Sequence, residues 1–289
     1  MSEIKTISVK DKNYPKLLKE IKNPPEVLYT RGELKPDEKC FGVVGTRMFS
    51  SYGKQVALEI AGDLAEAGLT IVSGLAPGID TFAHTATVER RKRTIAVLGT
   101  GIDERSIYPQ SNLNLARKIL ETGGCLISEY PPGTRGTNFT FPQRNRIISG
   151  LSLGVLVVEA KEKSGALITA DWAKKQQRLV FAIPGPIHSL NSKGCHYLIK
   201  HEVAKLVENA NDILKELNLP PTTRPGGVEG ENEEENLILK ALEEEALYVD
   251  KIIEKTKLSA ASIASSLAIL EIKGKVRNLG NNVYAISHR

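Results

Sequence analysis

The chain has 289 residues, of which 25% are charged and 41% hydrophobic, with a net charge of +5. This length suits one large and one small domain of ordinary globular composition, and the small basic excess permits a polyanion partner without demanding one. Three widely spaced cysteines (Cys40, Cys125, Cys195), a polar N-terminus and no apolar run near the roughly 18 residues that span a bilayer point to a cytoplasmic protein without disulfides or membrane contact.

Residues 1–38 are a short lead-in, too small to hold a core of its own and expected to pack on the larger domain. Tyr14 to Ile21 fits a helix, Asn23-Pro24-Pro25 breaks it, and Val27 to Tyr29 fits a short strand. Residues 39–217 then repeat a strand, turn and helix pattern. Strands are expected at Phe41–Val44, Thr70–Ser73, Thr94–Leu98, Cys125–Ser128, Gly154–Val158, Leu179–Ala182 and Ala204–Val207. Helices are expected at Ser51–Ala67, Ile79–Arg90, Asn112–Glu121 and Ala210–Leu217, with another opening after Ser164. Glu129–Pro142 reads as a long loop and Ile147–Leu151 as a short helical run. Short continuous apolar strands alternating with helices indicate an α/β fold, a parallel sheet with helices on both faces. Such sheets bind ligands at the carboxyl ends of their strands, at a switch point, and the glycine-rich turns of this chain all fall at those ends.

Residues 218–232 are rich in proline and glycine and read as a linker. Residues 233–289 form a small domain of three helices and a hairpin, the pattern of a winged helix-turn-helix. Its first helix, Glu233 to Glu245, has Leu237, Ile238, Ala241 and Leu242 as its apolar face. The second runs from Val249 to Lys255, and the third, capped by Ser259, to about Glu271. The hairpin covers Lys275 to Ile286, turning at Leu279–Asn282. The stretch from Ser259 to Glu271 contains no Lys, Arg, Asn or Gln to read base edges. Lys and Arg number 8 and Asp and Glu 9 in residues 233–289, leaving 31 basic against 25 acidic residues in the rest, a net +6. The small domain therefore reads as a contact module, and the larger one as the nucleic-acid binder.

The densest chemistry lies between Asn138 and Thr169. Phe139 and Phe141 precede Arg144, Asn145 and Arg146, a pairing of aromatics and cations suited to stacked bases and phosphates. Ser164 and Gly165 open a helix after a strand and a loop containing Lys161, and a helix N-terminus attracts anions. Gly45, Thr46 and Arg47 sit at another strand-to-helix turn, where they serve equally as an anion turn or as an ordinary turn with a solvated arginine. Asp80 and His84, four residues apart, read as a local helix contact rather than an acid–base pair. Glu159 is a lone carboxylate at a strand end, weak grounds for catalysis. Cys195, His196 and His201 match no metal spacing and read as structural. No dinucleotide or Walker fingerprint occurs, so neither cofactor nor metal is expected.

VVGTR, SGLAPGID with a following AH (Ala83-His84), TIAVLGTGID, YP (Tyr108-Pro109), FPQRNRIISGLS, VVEA, SGALITA, FAIPG and GC–LI, in this order, resemble the DNA-processing protein A (DprA, or Smf) family from about Tyr14 to Leu217. The small C-terminal domain resembles the winged helix of many members. The resemblance implies an extended Rossmann-like domain that dimerises, binds single-stranded DNA (double-stranded DNA being left open) and loads the RecA recombinase during natural transformation or related recombination, without enzymatic chemistry. It implies that Arg47, Phe141, Arg144, Asn145 and Arg146 line the DNA pocket, with Lys161, Ser164 and Thr169 bordering it. Met48 to Tyr52 matches the family pattern poorly. Two rivals are a phosphoribohydrolase-like enzyme and a winged-helix transcription regulator. The first requires a P-G-G-x-G-T-x-x-E segment where this chain reads KEKSGALITA; the second requires a charged recognition helix.

Overall fold

The computed structural model describes residues 3–222, 230–242, 246–280 and 282–286, and the chain divides into two compact units, Met1–Thr222 and Thr223–Arg289. In the first unit β1 (Lys5–Ser8), α1 (Lys16–Lys19) and β2 (Val27–Arg31) precede β3 (Cys40–Val44), α2 (Ser51–Glu66), β4 (Thr70–Ser73), α3 (Ile79–Glu89) and β5 (Thr94–Val97). Next come α4 (Leu113–Glu121), β6 (Cys125–Ser128), α5 (Thr140–Leu151), β7 (Ser152–Val157), α6 (Gly165–Lys175), β8 (Leu179–Ala182), α7 (Lys193–Lys200), β9 (Lys205–Leu206) and α8 (Ala210–Glu216).

Among the described residues these nine strands form one sheet, in the order β1-β2-β6-β5-β4-β3-β7-β8-β9. From β6 to β9 every neighbour pair is parallel. Alternate residues of one strand serve opposite faces: Cys40 and Val44 join the core beneath α5, α6 and α7, while Phe41 and Val43 join the core beneath α2, α3 and α8. A strand covered on both sides can afford no polar face, which is why β3 is an unbroken apolar run. Ser50 accepts a hydrogen bond from the Gly53 N–H and so starts α2, whose Ile60 and Leu64 are buried. Each such burial contributes about 1.5–3 kcal/mol.

The lead-in does more than pack on the sheet. β2 pairs antiparallel with β6, and β1 antiparallel with β2, so the parallel sheet acquires an antiparallel edge. β1 has no alternating pattern to announce it, and the Tyr14–Ile21 helix shrinks to the four residues of α1, preceded by Pro15. α7 is also unannounced, because its buried face consists of little more than Cys195 and Leu198.

The largest departure is α5. It begins at Thr140, not Ile147. Pro142 reads as a loop residue in sequence, but in the first turn of a helix its missing N–H has no carbonyl to meet. Thr137 supplies the start, its hydroxyl accepting from the Thr140 N–H at 3.2 Å. Arg144, Asn145 and Arg146 therefore stand on a helix that crosses beneath the sheet, not in an open loop.

The second unit contains α9 (Glu233–Ala241), β10 (Leu247–Tyr248), α10 (Val249–Thr256), α11 (Ala260–Ile272), β11 (Val276–Asn278) and β12 (Val283–Ile286), with its strands in the order β10-β12-β11. This is a winged helix. Asn232 caps α9, Ser259 caps α11, and Ile238, Leu239, Ile252, Ile263, Leu267 and Leu270 form its core. The face of α9 is turned slightly from that expected: Leu239 is buried and Leu237 is exposed. Residues 223–229 of the expected linker, 243–245 of the expected first helix and 281 of the expected turn lie outside the described residues. Among the described residues no helix is long and apolar enough to cross a membrane, and no cluster of metal-ligating side chains occurs.

Candidate nucleic-acid interface

β3 and β7 are neighbours, yet the chain leaves them in opposite directions, toward β4 and toward β8. A crevice opens at their carboxyl ends, where doubly wound sheets place their ligands. Gly45, Thr46 and Arg47 leave β3 there. Glu159, just past β7, fixes this turn: its carbonyl accepts from the Thr46 N–H at 2.7 Å, and its carboxylate from the Ser50 N–H at 3.0 Å and from the Ser50 hydroxyl. Glu159 is 2% exposed, and through these bonds the strand-end carboxylate positions the turn. Glycine is required at 78, where φ is +88° and a Cβ would run into the Thr46 carbonyl oxygen.

A cavity of about 650 Å³ lies over this crevice. It is lined by Gly45, Thr46 and Arg47 from the β3 turn, Phe141, Arg144 and Asn145 from α5, and Lys161, Ser164, Gly165 and Thr169 from the β7–α6 connection and α6. Lys163, Tyr108, Thr137 and Asn138 also line it, and sequence reasoning does not single them out as site residues. The signal for Tyr108 is the Tyr108-Pro109 pair, one of the motifs on which the family resemblance rests. Four lining cations, Arg47, Arg144, Lys161 and Lys163, face one carboxylate, Asp80. The guanidinium carbon of Arg47 lies 5.7 Å from the centroid of the Phe141 ring, a cation–π contact. Ser164 caps α6 by accepting from the Ala166 N–H, so the helix start faces the cavity with its partial positive charge.

Two of the expected contacts are placed elsewhere. Phe139 is 84% exposed and Arg146 is buried, and neither lines the cavity. Both terminal nitrogens of Arg146 donate to the Glu129 carboxylate at 2.7 Å, while its Nε donates to the Asn23 carbonyl. This arginine joins α5 to the loop after β6 and to the lead-in. Arg144 lines the cavity but is 4% exposed and heavily engaged. Its Nη1 donates to the carbonyls of Gly74, at 2.7 Å, and Val97, tying α5 to the ends of β4 and β5. Burial pulls its pKa down to about 10, against the attraction of Asp80. Burial also raises the Asp80 carboxyl above the usual range, opposed chiefly by Arg144 and then by backbone N–H donors. Asn145 donates to the Gly165 carbonyl at 3.2 Å, joining α5 to the start of α6.

The expected Asp80–His84 helix contact resolves into separate partners. Asp80 accepts from the Gly74 N–H at 3.1 Å, and His84 Nδ1 pairs with the Thr94 hydroxyl at 2.7 Å. Burial pulls the His84 imidazole down to about 3, which keeps it neutral. Cys195 is buried beneath β7, and His196 pairs with the Gly185 carbonyl. The turn at Met48 to Tyr52 is pinned by Asn191, which donates to the Met48 carbonyl, and by the Tyr52 hydroxyl, which donates to the Pro184 carbonyl.

The sheet, its switch-point cavity and the winged helix together define a doubly wound α/β protein with a basic cavity, built on two units. Comparison with known proteins gives the family. Residues 5–218 match the profile of DNA recombination-mediator protein A, and residues 220–282 that of the DprA winged helix domain. The chain is 45% identical over 216 residues to the DNA processing protein DprA of Bacillus subtilis, covering 74% of this chain and 71% of that one. It is 39% identical over 271 residues to the protein Smf of Escherichia coli, covering 90% and 72%. The crystal structure of DNA processing protein A from Streptococcus pneumoniae superposes with a TM-score of 0.68 at 43% identity, covering 74% of each chain. The Helicobacter pylori protein, whose structure concerns its single-stranded DNA binding mode, gives 0.67 at 29% identity, covering 75% of this chain and 98% of that one. The chain belongs to the DNA recombination-mediator protein A family, also known as DprA or Smf.

Proposed function

We propose that this protein binds single-stranded DNA in the switch-point cavity and presents the strand to the RecA recombinase, in the cytoplasm, as a homodimer and without catalysing a reaction. The observation that carries this reading is the position of Arg47. It stands at the cavity wall against Phe141, on a turn that Glu159 holds in place, opposite Lys161 and the N-terminus of α6. Family membership and the single-stranded DNA binding of the Helicobacter pylori relative support the choice of ligand. Recognition of this kind is by backbone charge and by stacking, with little sequence preference. Natural transformation or a related recombination process is the corresponding setting.

Binding is expected to weaken with salt, with a slope of about −0.7 per phosphate contacted. Filter binding on oligo-dT tests the site: Arg47→Ala reduces affinity at least tenfold. Wild-type affinity in a folded Arg47→Ala protein rejects the cavity as the DNA site.

A further inference from the structure

Phe141 is the aromatic that the motif offers as a stacking platform, but its surroundings leave it little open face. A Cβ added at Gly99 would lie 2.8 Å from its ring, and one at Gly136 would collide with the ring tip. Arg47 occupies a further side at 5.7 Å, and the ring of Tyr108 lies against it with centroids 5.6 Å apart, tilted by 45°. Phe139 is open to solvent but lies outside the cavity lining. Tyr108 has both properties: it lines the cavity and is 53% exposed.

The backbone around Tyr108 is firmly held. Ile107 is buried in the core with Leu98 and Ile102. The Gln110 amide donates to the carbonyls of Glu104 and Ile107 at 2.9 and 2.8 Å. The Asn112 amide donates to the Leu75 carbonyl and the Thr81 hydroxyl at 2.9 and 2.8 Å. A large exposed ring on an anchored loop loses little conformational freedom when a flat ligand covers it. Among the described residues, no other on the cavity wall offers an aromatic face of comparable exposure.

We infer that Tyr108 is the residue on which a base of the bound strand stacks, with Phe141 as the packed support behind it and Arg47 beside the phosphate. The assignment rests on the single-strand reading above and adds to it the separation of base contact from charge contact. Stacking requires a π-face on both partners, so the contribution of Tyr108 vanishes when the ligand has no base.

Anisotropy titration of the full chain compares oligo-dT with a strand of equal length made of abasic sites. Tyr108→Ala and Tyr108→Leu lose about ten- to a hundredfold on oligo-dT and change little on the abasic strand. Tyr108→Phe keeps wild-type affinity on both. Thermal melting of each variant confirms an intact fold, as the exposure of the side chain leads one to expect. Wild-type affinity for oligo-dT in folded Tyr108→Ala and Tyr108→Leu overturns the assignment and leaves the single-strand reading standing. Equal losses on both strands also overturn it, since they assign the residue to the backbone path. If wild-type protein binds neither strand, the single-strand reading falls, and this assignment with it.

Discussion

The turn after β3 and the middle of α5 both present arginine in a stretch dense with recognition chemistry, and the fold uses them in opposite ways. Arg144 and Arg146 are consumed internally, one by two strand-end carbonyls and the field of Asp80, the other by Glu129. Arg47 lies on a turn fastened to Glu159 through Thr46 and Ser50, and its side chain projects against Phe141 at the cavity wall. A cation that completes the scaffold shapes a site; one left on the wall can leave its place for a ligand. The difference lies in what each guanidinium touches, not in the residue type.

Substitution sharpens that contrast. The largest effect is expected from Arg144→Ala, which removes the opposite charge acting on the buried Asp80 and the donor to two buried carbonyls. Breaking a buried charge interaction costs about 3–5 kcal/mol, so urea unfolding should show a loss of that order, and a change under about 1 kcal/mol contradicts the scaffold role. Arg146→Ala is expected to cost about 2–3 kcal/mol, less than a fully buried pair because Glu129 retains some exposure. The folded Arg146→Ala protein should keep its affinity for oligo-dT, and a tenfold loss would return this residue to the interface.

Arg47→Ala reverses the pattern. Its stability should stay within about 0.5 kcal/mol of wild type, as for surface changes generally, while binding loses about 1.5–3 kcal/mol, the range for hydrogen bonds to charged groups. His84 reports on the scaffold side by pH. The unfolded imidazole takes up its proton near 6.5 and the folded one not until about 3, so the unfolded state binds more protons between these values. Stability should therefore fall as pH drops through this window, by up to about 1.4 kcal/mol per pH unit from this group. That slope should be missing in His84→Gln, and an unchanged acid limb of the denaturation curve refutes its origin. Smallest of all, removal of residues 223–289 should leave oligo-dT affinity within about threefold, because α11 carries no cation. Loss of binding in the truncated chain would instead favour the winged helix as the reader.

The parallel strands were legible nearly residue by residue: Thr70–Ser73, Cys125–Ser128 and Leu179–Ala182 stand where their apolar runs predict. Burial on both faces writes such strands plainly into sequence. The clustering of Arg47 with Phe141, Lys161 and Ser164 was legible too, because strand ends must share one edge. The engagement of Arg144 was not. Its carbonyl partners lie 70 and 47 residues away, and a carbonyl leaves no trace in sequence. Nor does a local pattern say which of two nearby phenylalanines packs inward, or that a tyrosine over 30 residues earlier lies against one of them. Those facts depend on loops brought together by the sheet.

The two ends of the nine-stranded sheet carry a further consequence. A long sheet with a bare outer strand is a template on which another chain can add its own strand and begin an aggregate. Here one outer strand is β1, four residues beginning with exposed Lys5 and Thr6, and the other is β9, a two-residue stub that also begins with an exposed lysine. Short length and charge are the means by which edges are blunted. The lead-in thus leaves little edge on which a further copy could add a strand, while the faces of the unit stay free for the pairing of two copies proposed above.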